Sequence, residues 1–264
     1  MTVWVVIPWR AGCPHREAAF DHVTRWWLDT YPGWSVVIGP WPEKYLSSPG
    51  SVVPWRKGCA VRNARIRPDP DDVVVVSDAD VIPVGVGAAV ASVSPDGCGR
   101  PIARWAVPFR MVHRLTQAGT ELVTSGRLVL PNGSVPKMPG ILEESYIGSA
   151  GGGTVVMRGD VFGEIPIDPR FAGYGQEDLS WSLALHRLAG EPARMLDPLW
   201  HLWHPPQERM RRGGTVSRGV GSEAGLLLWQ RYRQATTPAV MRALIAETED
   251  EFVRLMGDAD VGAY

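Results

Sequence analysis

Cysteine is scarce in this chain. Cys13, Cys59 and Cys98 are the only three in 264 residues, an odd number without the paired spacing of a zinc site or a disulfide framework. Long hydrophobic runs are missing too: no apolar stretch approaches the roughly 18 to 20 residues that a bilayer span needs. The chain opens on a strand-like segment rather than on a charged stretch followed by an apolar signal core, so a cytoplasmic, reducing setting without a membrane span is expected. Excess charge of one sign is also lacking. The 27 Lys and Arg residues against 28 Asp and Glu leave a formal net charge of −1, which gives no overall reason to expect nucleic acid or an anionic membrane as partner. There is no internal repeat and no low-complexity linker, and 264 residues suit one large α/β domain with a small appended piece.

Tryptophan, by contrast, is plentiful, with 12 residues clustered at Trp4 and Trp9, Trp26 and Trp27, Trp34 and Trp41, and Trp200 and Trp203. Most are expected in the core, with one or two near a site serving as flat platforms for sugar rings. Asn132-Gly133-Ser134 reads as a turn, and as a glycosylation acceptor only after secretion.

The most informative stretch is Val73-Val74-Val75-Val76-Ser77-Asp78-Ala79-Asp80. Four β-branched residues are too few for a useful helix and suit a strand buried on both faces of a parallel sheet. The run delivers two carboxylates to the strand's carboxyl end, where open α/β sheets bind ligands, and their oxygens suit Mg²⁺ or Mn²⁺. The plainer reading is that Asp78 and Asp80 end the strand and cap a following helix.

The remaining elements alternate. A strand over Thr2 to Ile7 closed by Pro8, a helix over Arg16 to Thr30, a strand over Trp34 to Ile38 and a helix over Lys57 to Ile66 precede the valine strand, and one more strand is expected within Arg100 to Val112. This pattern predicts a mostly parallel sheet flanked by helices. From Thr124 to Ser149 the composition turns to Gly, Pro and Ser, which reads as a mobile binding loop near an acceptor. A strand over Thr154 to Met157 follows Gly151-Gly152-Gly153. Glu177 and Asp178 then open a helix with Leu179, Leu183, Leu185 and Leu188 at helical spacing, a place where the helix dipole alone favours acidic residues. Met195 to Trp203 is a last strand. Beyond it, Arg209, Arg211, Arg212 and Arg218 with interspersed glycines suggest a flexible segment that closes over an anion, or else a solvated surface loop. Two amphipathic helices, Ala224 to Gln234 and Pro238 to Met256, end the chain. The expected division is 1–204 as catalytic domain, 205–223 as a basic Gly-rich loop, and 224–264 as helices packed on the same domain.

These pieces, in this order, resemble the nucleotide-sugar glycosyltransferases of the Rossmann-like GT-A fold. Asp78-Ala79-Asp80 resembles their Asp-x-Asp (DXD) motif, and Arg62-Asn63-Ala64 is similar to their Arg-Asn-Ala helix. Val6-Ile7-Pro8-Trp9-Arg10 looks like the first-strand Pro-Phe-Arg of the β-1,4-galactosyltransferases. The segment Gly151 to Leu183 is most similar: Phe171 to Asp178 resembles the Gly-Trp-Gly-Gly-Glu-Asp region shared, with variations, by β-1,4-galactosyltransferases, chondroitin-polymerase-type enzymes and polypeptide N-acetylgalactosaminyltransferases. The resemblance implies a metal-dependent, inverting hexosyltransferase that moves a sugar from a nucleotide diphosphate, a UDP-sugar, to a hydroxyl acceptor on a glycan, protein or small molecule. Asp80 would hold Mn²⁺ or Mg²⁺ together with a late histidine, either His201 or His204; on a continuing strand residues three apart face opposite sides, so one of the two is expected to reach the metal. Pro8, Trp9, Arg10, Arg62, Asn63, Asp78, Ala79, Gly152 and Gly153 would bind the donor. Asp178 would be the general base, and Glu177 would bind acceptor or donor hydroxyls. Tyr174 and Gln176 depart from the family pattern, which leaves the donor sugar and acceptor open. Two other classes compete: a sugar nucleotidyltransferase, for which Trp9 to Pro14 is a poor phosphate loop, and a non-catalytic carbohydrate-binding protein, which would be expected to have lost Asp80 or Asp178.

Overall fold

The computed structural model describes residues 1–41, 55–95, 101–143, 145–173, 175–205, 211–212, 215–216 and 222–256. In chain order the first elements are β1 (Val3–Trp9), α1 (Pro14–Thr30), β2 (Ser35–Pro40), α2 (Lys57–Asn63), β3 (Val73–Ser77), β4 (Val81–Pro83) and α3 (Val86–Val93). The middle holds β5 (Trp105–Val107), β6 (Met111–Arg114), α4 (Gln117–Thr124), β7 (Tyr146–Ile147), β8 (Thr154–Arg158) and α5 (Gly159–Glu164). The last are α6 (Glu177–Ala189), β9 (Ala193–Arg194), β10 (Pro198–His201), β11 (Arg211–Arg212), β12 (Thr215–Val216), α7 (Ser222–Gln234) and α8 (Pro238–Met256).

The valine run is the centre of the main sheet, whose order is β2-β1-β3-β8-β5-β9. Val73 and Val75 pack on one face with Val23 and Trp27 of α1, while Val74 and Val76 face Val161 of α5 and Trp181 of α6. Coverage on both faces explains why the strand is uniformly apolar. β1 is parallel to β2 and β3, and β5 to β9, but β8 is antiparallel to both β3 and β5. The architecture is α/β as expected, with a sheet more mixed than the alternation predicted. β8 is entered from the short β7 and a glycine turn rather than through a helical crossover, so nothing forces it parallel.

A second sheet, β4-β10-β6-β7, sits beside the first. β4 begins at the residue after Asp80 and runs antiparallel to β10 with Val81 opposite His201. Asp80 therefore leads into a strand, and the plainer expectation of a helix cap there is not met.

Several boundaries differ from the sequence reading for identifiable reasons. β1 continues through Pro8, whose missing N–H is tolerated because pairing with β3 ends at Val6 and only β2 accompanies the strand further. α2 stops at Asn63, just before Arg65 takes a left-handed φ of 53°. The expected strand in 100–112 is two, β5 and β6, and Met195 to Trp203 shortens to β10. The stretch 124–149 is irregular but anchored: Leu128, Leu130, Met138 and Ile141 pack on the core, and the Trp200 indole donates to Pro131 O at 3.2 Å. Its scattered apolar side chains correct the reading of a mobile loop.

On α6 the buried side is Ser180, Trp181, Ala184 and Leu185, whereas Leu179 is 46% exposed. α7 and α8 lie against this part of the domain. The buried Tyr232 hydroxyl donates to Asp168 Oδ2 at 2.9 Å, and Arg170 joins Asp168 to Glu247. Most of the basic segment 205–223 lies outside the described residues; β11 and β12 pair antiparallel within it. Among the described residues no helix is long and apolar enough to cross a membrane.

Candidate active site

A cleft of about 200 Å³ opens at the carboxyl ends of β1 and β3. Pro8, Trp9 and Arg10 line it from the end of β1, Arg16 from α1, and Asp78, Ala79 and Asp80 from the turn after β3. Glu177 and Asp178 enter from the start of α6, His201 and His204 from the end of β10, and Trp55 and Lys57 from the start of α2. Trp9 stacks on Phe20 with ring centroids 4.2 Å apart, which fixes its ring at the rim.

Backbone geometry sets the acidic floor. Asp78 N–H donates to Gly153 O at 2.7 Å, and Gly153 N–H returns a bond to Asp78 Oδ2 at 3.2 Å. A Cβ on Gly151 would lie 1.9 Å from Asp178 O, and one on Gly152 would lie 2.8 Å from Asp178 Oδ2. The glycine run before β8 thus lets the first turn of α6 descend onto the sheet. Lys57 joins the two carboxylates: its Nζ lies 2.7 Å from Asp78 Oδ1 and 3.0 Å from Asp178 Oδ1.

The charges are strongly interdependent. Burial alone would lower the Lys57 pKa, but Asp178 and Asp78 outweigh it and raise it, so the ammonium stays charged. Asp78 is pushed up, mainly by burial and further by Asp178 and Asp80, with Lys57 opposing. Glu177 is also pushed up, by burial first and then by the charge of Asp178. Among the described residues its Oε2 is buried without a hydrogen-bond partner. Burial would raise Asp80 as well, yet His201, His204 and Arg16 hold it well below the usual carboxylate range. Arg10 is lowered by burial and by the like charge of Arg16.

Asp80, His201 and His204 each present a ligand atom, all within 4.8 Å of one another. His204 Nε2 is 3.1 Å from Asp80 Oδ2. His204 Nδ1 lies 2.9 Å from the carbonyl of Pro205, which can only accept, and 3.3 Å from Arg16 Nη2. The His204 ring is thus held between Asp80 on its Nε2 side and Pro205 and Arg16 on its Nδ1 side. Burial pushes the His201 pKa down against the pull of Asp80, and among the described residues its Nδ1 is buried without a hydrogen-bond partner. Both histidines of the pair, not one of them, are brought beside Asp80. β10 ends at His201 and the chain turns, held by Leu202 N–H on Asp80 O at 2.8 Å and Trp203 N–H on Thr120 Oγ1 at 2.7 Å, which swings His204 back beside its neighbour.

The other expected residues divide. Pro8, Trp9, Arg10, Asp78 and Ala79 line the cleft, and Gly152 and Gly153 lie beneath it against Asp178 and Asp78. Arg62 and Asn63 do not line it. Arg62 pairs with Glu249 at 2.6 Å, bonds Thr248 and lies over the Phe252 ring, and Asn63 donates to Pro40 O. Both sit at the end of α2, a turn and more away from Lys57 at its start. Sequence reasoning missed Lys57 and Arg16; the one signal for Lys57 was its place at the head of the helix that carries Arg62-Asn63.

No family model matches this chain, and no curated protein matches it. Among solved structures it is similar to a Drosophila β-1,4-galactosyltransferase 7 mutant in complex with manganese, UDP-Gal and xylobiose, at 14% identity and a TM-score of 0.40 over 82% of this chain and 68% of that one. It is also similar to glucosyl-3-phosphoglycerate synthase from Mycobacterium tuberculosis, in complex with Mn²⁺, UDP-glucose and phosphoglyceric acid, at 19% identity and a TM-score of 0.38 over 77% of this chain and 72% of that one.

Proposed function

We propose that this protein is a metal-dependent, inverting glycosyltransferase that moves a sugar from a UDP-sugar to the hydroxyl of an acceptor. The observation that carries this reading is the convergence of Asp80, His201 and His204 in the same cleft as Asp178 and Glu177. The three ligand residues fit a divalent cation. Among the described residues His201 Nδ1 is buried without a hydrogen-bond partner and His204 Nε2 points at Asp80 from 3.1 Å, so a cation held among the three would take up a lone pair from each imidazole. Two imidazoles and one carboxylate make a softer set than the all-oxygen shell Mg²⁺ prefers, so Mn²⁺ is the better match.

A cation held by Asp80, His201 and His204 would supply positive charge to offset that growing on the departing diphosphate. Arg10 and Arg16, at the same end of the cleft, add fixed positive charge toward the phosphates. Asp178, at the start of α6, accepts the proton of the acceptor hydroxyl as that oxygen attacks the anomeric carbon from the face opposite the leaving group. Glu177 orients acceptor or donor hydroxyls, and the Trp9 and Trp55 rings offer flat surfaces for base or sugar. The uridine assignment follows the likeness of Val6 to Arg10 to the first strand that helps hold uridine in β-1,4-galactosyltransferases.

A panel of nucleotide sugars assayed for donor hydrolysis and transfer, with Mn²⁺ and with chelator, tests the reading. Turnover of a UDP-sugar that needs Mn²⁺ and is lost in Asp80→Ala is expected; turnover indifferent to metal, or pyrophosphate release from a nucleoside triphosphate, would contradict it.

A further inference from the structure

Lys57 is 7% exposed and holds a full charge among carboxylates drawn from two separate elements, the turn after β3 and the head of α6. Burying an ammonium is costly unless its partners are well placed, and here they are. The atoms it uses are specific. On Asp78 it takes Oδ1, and Gly153 N–H takes Oδ2, so both oxygens are engaged within the protein. On Asp178 it takes Oδ1 alone, while Oδ2 lies above Gly152 at a spot where any Cβ would collide with it. The Asp178 carboxylate is thereby held at one end by a charged hydrogen bond, and its other oxygen is left over bare backbone.

We propose that Lys57 is the positioning residue for Asp178: its ammonium fixes the carboxylate rotamer, reserves Oδ2 for the acceptor's proton, and sets the base at a constant distance from Asp78. This assignment rests on the glycosyltransferase reading. In the transfer the acceptor O–H bond breaks, its electron pair forms the new bond to the anomeric carbon as the bond from that carbon to the diphosphate oxygen breaks and the nucleoside diphosphate leaves with that electron pair, and the proton passes to Asp178 Oδ2, while Lys57 gains and loses no proton. A residue acting this way affects turnover through Asp178, not through donor affinity.

A double-mutant cycle separates that role from a general structural one. Lys57→Met lowers kcat by about 100-fold, the cost of a base misplaced by about an ångström, with the KM for donor and the affinity for Mn²⁺ within about threefold. Introduced into Asp178→Asn, the same change lowers the residual rate by less than about threefold, because the group it positions is already disabled. Lys57→Gln, which keeps an N–H donor, recovers part of the loss and serves in the cycle if Lys57→Met does not fold. The crystal structure of either variant should show the Asp178 carboxylate rotated from its place above Gly152. Equal losses in both backgrounds, a rise in donor KM instead of a fall in kcat, or an unmoved Asp178 would overturn the assignment while leaving a turning-over wild type as a glycosyltransferase. A wild type that transfers no sugar with Mn²⁺ would overturn the functional reading and the assignment with it.

Discussion

His201 and His204 stand with ring centroids 5.3 Å apart and both turned to Asp80, although they are three residues apart along the chain. The relationship depends on where a strand stops. Had β10 continued past His201, the two rings would have pointed to opposite faces of the sheet; the turn that follows it supplies a second imidazole.

Removing the carboxylate of this group should disable metal binding. Asp80→Ala is expected to weaken Mn²⁺ by about 100-fold or more, since losing even an outer-shell partner of a metal site costs 10- to 100-fold. Titration calorimetry with Mn²⁺, then with UDP in its presence, checks this, and the nucleotide should lose its metal-dependent component.

The base assignment predicts a different pattern. Asp178→Asn keeps the shape of the side chain and its contact with Lys57 but cannot take a proton, so transfer should fall by about 10² to 10⁴. Donor and metal affinity should stay within about threefold of wild type in the same calorimetric experiment. Normal turnover by this variant would remove Asp178 from the mechanism.

Glu177 makes the metal-free protein sensitive to pH. Burial and the neighbouring Asp178 hold its pKa above the ordinary 4.5. As pH rises from that value to the raised one, the folded protein keeps a proton that the unfolded chain has released, so this group's contribution to stability falls through the window and stays low above it. In Glu177→Gln the decline should be absent. Its thermal midpoint relative to wild type should therefore climb by a few degrees between about pH 4 and neutral, at roughly 2 to 4 °C per kcal/mol for a domain of this size class.

The glycine turn before β8 predicts a packing effect that acts on the site from below. Gly151→Ala would set a Cβ against the Asp178 carbonyl, pushing α6 off the sheet at a cost of about 1 to 3 kcal/mol, as overpacking a dense core does. Denaturant unfolding measures the loss. Activity should fall further than stability alone explains, because Asp178 moves with the helix.

The valine strand, its terminal carboxylates and the acidic start of α6 were legible in the sequence because each is a local signal: a β-branched run, an abrupt change to charge, and a helical period behind Glu177. Lys57 was not, since a lysine beside Arg56 reads as a solvated helix residue until the fold sets it against Asp178, 121 positions away. Arg62 and Asn63 failed as cleft residues for a related reason: motif spacing gave them a helix but not the direction of its face, which is set by packing on Thr248 and Phe252 of α8. The 124–149 stretch misled through composition, because Gly and Pro outnumber the apolar residues that tie it down.

The central claim is that one divalent cation is shared by Asp80, His201 and His204, and anomalous scattering at the manganese edge tests it most directly. Crystals grown with Mn²⁺ and UDP should show a single strong peak within coordination distance of all three side chains and of the diphosphate. A peak elsewhere in the cleft, or none in crystals where UDP is bound, would contradict the account.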